Sequence, residues 1–374
     1  MAAIALFPAA TFWLFRKLFN GQDKWSVVTF PAIWVLGDWF RSWFLTGFPW
    51  LYLGYGHLNT PLSGWASILG VHGITFIICL SGSVLWYLSN LLIQSRIGQK
   101  EPTKTSSSST KKPKTLTISL ICLAIMPWFA GEFAKNIEWT HAKDNTPITI
   151  AAVQANIPQE LKWSRGYRLK TIDIYKDLST PHWGKDLIIW PETAVPILYD
   201  QAKRIVGSLS HQAADSGSTL ISGIPYREIN TQTKRATIHN SIISIGQGEG
   251  IYHKQRLVPF GEYVPLEDIL RGLIQFFDLP MSSFTPGNSD QTSLKESNRR
   301  VTPYICYEIV YPDFVAGNAQ DADYLLTISN DSWFGHSIAP EQHLQIAQMR
   351  SIETGKEQLF STNDGVTAII NAKG

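Results

Sequence analysis

The sequence predicts a protein of two unlike parts: an α-helical membrane part over residues 1–135 and a layered α/β domain over residues 146–374. Nine of the 14 tryptophans lie before residue 130, among long apolar runs. After Pro147 the pattern changes to short β-branched segments that alternate with amphipathic ones, which is typical of strands and helices in a layered domain. The near-neutral mean hydropathy therefore averages two different architectures.

The first part contains four apolar runs that are candidate membrane spans, since a span needs about 20 apolar residues. A set of buried core helices is the alternative, but the third run is too long and too uniformly apolar for one. A cleaved signal peptide does not fit, because Arg16 and Lys17 follow the first run instead of preceding it. In the second run, Asp38 and Arg41 are spaced to share a helix face and pair. The runs cover about residues 2–19, 26–46, 65–93 and 116–134.

The connections between these runs predict an orientation. The connection after the second run, at about 46–64, contains no Lys, Arg, Asp or Glu, whereas the connections after the first and third runs are basic. By the positive-inside rule the basic connections, including the linker 95–115, are cytoplasmic. The α/β domain after the fourth run is then extracytoplasmic. The basic residues are Arg16, Lys17 and Lys24 in the first connection, and Arg96, Lys100, Lys104, Lys111, Lys112 and Lys114 in the third.

The second part is predicted to contain eight strands and three helices. Gly246, Gly248 and Gly250 join two of the strands, so we interpret them as a hairpin turn and not as a phosphate-binding loop. The predicted strands cover residues 149–153, 187–190, 219–224, 238–245, 251–254, 301–306, 324–328 and 366–370, and the predicted helices cover 165–179, 199–215 and 341–354.

Three chemically active side chains leave strand ends in this domain. Glu192 follows a buried apolar strand, Lys254 follows Tyr-His, and Cys306 ends Val-Thr-Pro-Tyr-Ile. A carboxylate, an ammonium and a thiol at one rim of a sheet form a base, a cation and a nucleophile for covalent acyl transfer. Desolvation at the end of a buried strand raises the pKa of a carboxyl such as Glu192 towards the range of a useful base.

Each of these residues also has a structural interpretation: an isolated Glu192 would be a solvated surface carboxylate, and Lys254 alone would be a surface lysine. A lone strand cysteine is usually a small buried hydrophobe, which is how we interpret Cys79 and Cys122 in the apolar runs. His336 and His343 lack a third ligand nearby, so no zinc site is predicted, and we expect no cofactor. A Ser-His-Asp triad stays open by residue count, although no Gly-x-Ser-x-Gly turn occurs. The three strand ends together favour Cys306 as a nucleophile.

Several motifs carry a family resemblance. The domain resembles the nitrilase (carbon–nitrogen hydrolase) superfamily, whose Glu-Lys-Cys triad matches Glu192, Lys254 and Cys306 in order and context. Within it, the chain is similar to the apolipoprotein N-acyltransferase family from the second apolar run onward. The matching segments are TGFPW at 46–50, VQANIPQ at 153–159, LKW at 161–163, IIWPE at 188–192, LVPFGEYVP at 257–265, LPMSSF at 279–284, ICYE at 305–308 and residues 325–335.

The resemblance implies a four-layer αββα sandwich and a two-stage reaction. Cys306 takes an acyl chain from a phospholipid, phosphatidylethanolamine, as a thioester, and the amine of a diacylglyceryl-cysteine at a lipoprotein N-terminus then takes the chain. Glu192 moves the protons and Lys254 helps to hold the oxyanion. The resemblance also implies supporting roles for Glu262, Glu308 and Asn240, and roles in acyl-chain access for Trp163 and Tyr307.

Family membership would place the chain in the bacterial inner membrane as a multi-pass protein, with its catalytic domain facing the periplasm. The partners would be the phospholipid, the lipoprotein and the membrane, with no nucleic acid. Since members have further spans at both ends, we expect a chain truncated at both ends, with a catalytic domain incomplete at its C-terminus. A membrane-tethered amidase that uses water as acceptor, and an inactive lipid-binding remnant, are the alternatives.

Overall fold

The chain forms two compact units, residues 1–139 and 140–374. The computed structural model describes residues 2–19, 24–97, 114–143, 146–164, 166–229, 234–259, 261–263, 284–291 and 293–374. The motif at 279–284 therefore lies outside the described residues except for Phe284, as does most of the basic linker 95–115.

The first unit contains a helix at each of the four apolar runs. Among the residues of this unit that the structure describes, two stretches, Pro61–Gln94 and Thr115–Lys135, are long and apolar enough to cross a membrane. These helices support the predicted spans at the third and fourth runs, and the spans at the first and second runs stay predictions. The helices are α1 (Ala2–Leu18), α2 (Ser26–Trp43), α3 (Ala66–Ile97) and α4 (Lys114–Lys135).

The predicted pairing within α2 is confirmed. Arg41 Nη2 donates a hydrogen bond to Asp38 Oδ1 at 2.8 Å, and both residues are buried. Arg41 Nη1 donates to the carbonyl of Trp50 at 2.6 Å, and the guanidinium lies over the ring of Tyr52 at 5.0 Å. The ion pair therefore holds the connection that follows α2 against the helix.

Helix α4 packs closely on the segment Pro61–Trp65 because glycines meet there. A Cβ on Gly131 would lie 2.4 Å from the carbonyl oxygen of Pro61, and one on Gly64 would lie 2.0 Å from the carbonyl oxygen of Gly131. Trp65 Nε1 also donates to the carbonyl of Pro127 at 2.7 Å. The backbones touch at this point, which leaves no room for a methyl group.

We expect Gly131→Ala to destabilise the first unit by roughly 1–3 kcal/mol, because overpacking forces the backbones apart. Thermal unfolding of the detergent-solubilised protein measures the change. Gly82→Ala in α3 is the matched control, since nothing lies within 4 Å of its Cβ position. Equal unfolding temperatures for the two variants would contradict the close packing.

The second unit is built on two five-stranded sheets, with strand orders β1-β2-β3-β4-β5 and β10-β9-β8-β7-β6. In the first sheet the parallel pairs lie towards one edge and the antiparallel pairs towards the other, whereas in the second sheet the parallel pairs are central and an antiparallel pair lies at each edge. The strands are β1 (Ile150–Ala152), β2 (Leu187–Trp190), β3 (Thr219–Ile229), β4 (Ala236–Gly246), β5 (Gly250–His253), β6 (Leu294–Glu296), β7 (Arg299–Ile305), β8 (Tyr324–Ser329), β9 (Gln358–Thr362) and β10 (Ala368–Ile370).

The two sheets pack face to face with helices outside them. In β2, Leu187 and Ile189 pack towards the second sheet, whereas Ile188 and Trp190 pack in the core that includes the helices, as the alternation of strand side chains requires. These layers give the αββα order that the resemblance implies. The helices are α5 (Gln159–Lys162), α6 (Arg168–Ser179) and α7 (Tyr199–Asp215) after strands of the first sheet, and α8 (Pro312–Asn318) and α9 (Ala339–Thr354) after strands of the second.

The hairpin predicted at the glycine cluster is confirmed, since β4 and β5 pair antiparallel across Gly246–Gly250. Strands β6 and β9 and helices α5 and α8 were missing from the prediction. Three of the five residues of β9 are polar, and one of them, Gln358, is fully buried, with its Nε2 donating to Thr327 Oγ1 at 2.8 Å. A strand whose buried polar groups are satisfied by a neighbouring strand gives only a short apolar signal in the sequence.

Candidate active site

Glu192 lies two residues after β2, where the chain turns sharply. Thr193 has a φ of 51°, in the left-handed region. Strand β3 passes so close that a Cβ on Gly223 would lie 2.4 Å from the Thr193 nitrogen. The side chain of Glu192 points inward, with 7% of the residue exposed. Strand and turn together hold a carboxylate in a dry position.

Lys254 follows β5 directly and is 1% exposed. Its Nζ lies 2.9 Å and 2.8 Å from the two carboxylate oxygens of Glu262, and 3.8 Å from Glu192 Oε1. Burial lowers the pKa of Lys254, but the charges of Glu262 and Glu192 outweigh burial and raise it above its usual range. The ammonium therefore stays charged between two carboxylates.

Asn240, in the middle of β4, joins the same two carboxylates. Its Nδ2 donates to Glu192 Oε1 at 2.7 Å and to Glu262 Oε1 at 3.0 Å. Glu262 is also held by the backbone N–H of Val258, which donates to Oε2 at 2.8 Å. Burial raises the pKa of Glu192, and the charges and hydrogen bonds of Lys254 and Asn240 oppose that rise. The four side chains form one connected network.

Cys306 begins the 3-10 turn Cys306–Val310 directly after β7. Its φ of 52° is a strained value for a residue with a side chain, of the kind that concentrates at functional sites. Burial and the charge of Glu192 raise the pKa of the thiol, while Lys254 opposes them. At neutral pH the sulfur is thus protonated, and a base must take its proton before it attacks a carbonyl.

A buried pair lies beneath the nucleophile. His343 Nε2 donates to the carbonyl of Cys306 at 3.2 Å, and His343 Nδ1 lies 3.1 Å from Asp331 Oδ1. Ser329 Oγ donates to the same carboxylate oxygen at 2.6 Å. This pair holds the backbone of the strained turn.

Glu308 braces the segments that carry the lysine and the cysteine. Its Oε1 accepts hydrogen bonds from Tyr252 Oη and from the backbone N–H groups of Gln255 and Arg256, and its Oε2 accepts one from the Ile305 N–H. Burial raises the pKa of Glu308 to about 7 against these donors. One side chain thus connects the end of β5 to the end of β7.

We expect Glu308→Gln to destabilise the second unit, because an amide group must face at least one backbone N–H. The expected loss is about 1–3 kcal/mol, or a fall of several degrees in unfolding temperature. Circular dichroism during heating measures it. Glu249→Gln serves as the control, since Glu249 is exposed and lies 3.4 Å from an exposed Lys295. An unchanged unfolding temperature in Glu308→Gln would contradict the bracing role.

Comparison with known families gives two matches. Residues 1–84 match the apolipoprotein N-acyltransferase N-terminal domain, and residues 149–374 match the carbon-nitrogen hydrolase family. An apolipoprotein N-acyltransferase from Pseudomonas aeruginosa PAO1 is 44% identical over 375 residues, covering 100% of this chain and 69% of the relative. The chain belongs to the apolipoprotein N-acyltransferase family.

Other members of the apolipoprotein N-acyltransferase family are similar over the same length. The one from Pseudomonas syringae is 43% identical, covering 100% of this chain and 70% of its own, and the one from Photobacterium profundum is 36% identical, covering 99% and 68%. Among solved structures, a carbon-nitrogen hydrolase from Helicobacter pylori G27 matches 60% of this chain and 79% of its own, with 17% identity and a TM-score of 0.40.

The structure brings most of the predicted site residues together. Glu192, Lys254, Glu262 and Asn240 are in direct contact, and the charges of Glu192 and Lys254 act on the pKa of the Cys306 thiol in opposite directions. The two aromatic residues differ in their exposure to solvent: Trp163 is half-buried, whereas Tyr307 is buried. The catalytic and acyl-access roles inferred from the apolipoprotein N-acyltransferase family stay predictions.

Two side chains near the site escaped the sequence reasoning. Lys162 donates to the carbonyl of Glu192, and His343 was considered only as a zinc ligand. The LKW segment contains Lys162, so its position beside the motif tryptophan was an available signal. The contacts of His343 depend on how α9 packs, and no local pattern reports that.

Proposed function

We propose that this chain transfers an acyl chain from a phospholipid to the N-terminal amine of a lipoprotein through a thioester on Cys306. The contact network of Glu192, Lys254, Asn240 and Glu262 beside this cysteine, in a member of the apolipoprotein N-acyltransferase family, carries the proposal. The network supplies a carboxylate base and a fixed cation beside a thiol, and these are the groups that acyl transfer requires.

In the first half-reaction the sulfur of Cys306 attacks the ester carbonyl of the phospholipid, and Glu192 takes the thiol proton. Lys254 stabilises the oxyanion that forms, because a fixed charge in a dry site needs no reorganisation. The carbon–oxygen ester bond then breaks, and Glu192 returns the proton to the departing oxygen. The products are a lysophospholipid and an acyl thioester on Cys306.

In the second half-reaction the free amine of a diacylglyceryl-cysteine attacks the thioester carbonyl. Glu192 removes a proton from the amine as the carbon–nitrogen bond forms. The carbon–sulfur bond breaks, and the proton passes to the sulfur of Cys306. The lipoprotein leaves as an amide, and the resting thiol is restored.

We further propose that the donor is phosphatidylethanolamine and that the chain is a multi-pass protein of the inner membrane. Residues 1–135 would form the membrane domain, and residues 146–374 the catalytic domain facing the periplasm. The two apolar helices and the basic connections support this arrangement, since basic loops favour the cytoplasmic side. Both lipid substrates would then reach the site from the membrane.

The test combines the purified chain with vesicles of labelled phosphatidylethanolamine and a synthetic diacylglyceryl-cysteinyl peptide. We expect label in an amide on the peptide, and less label when phosphatidylglycerol replaces the donor. Release of free fatty acid with no labelled peptide would favour a hydrolase that uses water. No release and no transfer would favour a lipid-binding remnant and would contradict the proposed function.

A further inference from the structure

A second ammonium group lies behind the proposed base. Lys162, the last residue of α5, is 1% exposed, and its Nζ donates to the backbone carbonyl of Glu192 at 2.8 Å. Among the described residues, this carbonyl is the one hydrogen-bond acceptor of the ammonium. Burying a charge with so few partners is costly, so its place beside Glu192 calls for a role.

The charges around Glu192 suggest that role. The titratable groups that face it are Lys254, Glu262, Lys162 and the thiol of Cys306. Without Lys162, two buried carboxylates would share a single cation. With Lys162 present, the two positive charges of Lys162 and Lys254 balance the two negative charges of Glu192 and Glu262 before the reaction starts.

We infer that Lys162 is a positioning residue for the base: it holds the main chain of Glu192 and supplies the second positive charge that keeps this carboxylate ionised. The inference rests on the proposed function, in which Glu192 takes the proton of Cys306. It assigns to Lys162 an electrostatic task that is separate from the oxyanion contact of Lys254.

The direction of the electrostatic effect follows from the contact. Burial raises the pKa of Glu192, and Lys162 is among the groups that lower it again. Burial lowers the pKa of Lys162 to about 8, against the charge of Glu192, so the ammonium is charged at neutral pH. Removing this charge therefore raises the pKa of Glu192, and less of the base is ionised on the acid side.

Lys162→Met tests the inference through the pH profile of acyl transfer to Cys306. We expect the acid limb of kcat/KM to move to higher pH by on the order of one unit, with about tenfold lower activity on the acid side and recovery on the alkaline side. Lys162→Gln keeps a donor for the carbonyl without the charge, and should shift the limb similarly. Lys203→Met, at an exposed position of α7, should leave the profile unchanged.

A second readout separates this inference from the proposed function. The rate at which iodoacetamide alkylates Cys306 is measured over the same pH range. This alkylation requires that the thiol lose its proton, the step assigned to Glu192, but it requires no phospholipid. Shifted acid limbs in both Lys162 variants support the inference even if wild type takes no acyl chain. Alkylation profiles that are lowered equally at every pH, or unchanged, would show a structural role only and overturn it.

Discussion

Cys306→Ser is expected to lower lipoprotein N-acylation by at least about a thousandfold, as removal of a nucleophile does in other covalent enzymes. The thiol at this turn is the atom that bonds to the acyl group in the proposed reaction. A serine hydroxyl is far harder to deprotonate than a thiol, so Glu192, the proposed base, would activate it poorly. Transfer of labelled acyl chains to a diacylglyceryl-cysteinyl peptide measures the loss.

The other two cysteines provide the controls. Cys122 is exposed on α4 and Cys79 is buried in the first unit, so Cys122→Ser and Cys79→Ser should retain most of the transfer activity. Residual activity in Cys306→Ser within tenfold of wild type would contradict covalent catalysis at this residue. Loss of activity in all three variants alike would point to misfolding, which their unfolding temperatures would reveal.

Lys254→Met is expected to damage both stability and activity. It leaves Glu192 and Glu262 around an apolar side chain with no cation in between, at a cost of about 3–5 kcal/mol of unfolding free energy. Loss of the cation that we propose stabilises the oxyanion should reduce the rate of thioester formation by a further factor of about 100–1,000. Thermal unfolding and single-turnover acylation measure the two effects separately.

The stability loss in Lys254→Met should depend on pH with a definite sign. Burial raises the pKa of Glu192 and Lys254 opposes that rise, so without the ammonium the pKa of Glu192 rises further and the folded state binds a proton that the unfolded state releases. The folded state then gains stability as pH falls, and the deficit against wild type should be smaller near pH 5 than near pH 8. A deficit that is equal at both pH values would contradict the charge arrangement.

The sequence predicted where the reactive groups emerge because strand ends leave a local pattern. Glu192, Lys254 and Cys306 each follow a short run of β-branched or aromatic residues, and such a run is visible without tertiary information. The structure places them within two residues of the ends of β2, β5 and β7. The pairing of Asp38 with Arg41 was predictable for the same reason, because helix spacing alone brings the two side chains together.

Residues whose role depends on distant contacts were not predictable in this way. Lys162 lies in a four-residue helix that reads as polar and solvated, and only the position of Glu192 shows that the lysine is buried. His343 contacts the carbonyl of Cys306 because α9 packs against the turn after β7. Asn240 sits in the middle of a strand, where an amide usually signals nothing.

In the membrane part, too, some features were predictable from composition and others depend on packing. The third and fourth runs are long and predominantly apolar, with Glu132 as their one acidic or basic residue apart from His72, and composition alone identifies them as possible spans. The first two runs form helices, but α1 has only 17 residues and α2 contains the buried Asp38–Arg41 pair. Whether these two helices span a bilayer therefore depends on how they pack, which the apolar composition of the sequence does not show.

The mass of the Cys306 peptide after incubation with phospholipid vesicles tests covalent acyl transfer most directly. With no acceptor present, we expect the peptide that contains Cys306 to gain the mass of one acyl chain and to lose it on treatment with hydroxylamine, which cleaves thioesters. Adding the diacylglyceryl-cysteinyl peptide should move that mass to its amine. A catalytically active protein whose Cys306 peptide never carries the acyl mass, or carries it in a form stable to hydroxylamine, would contradict a thioester intermediate.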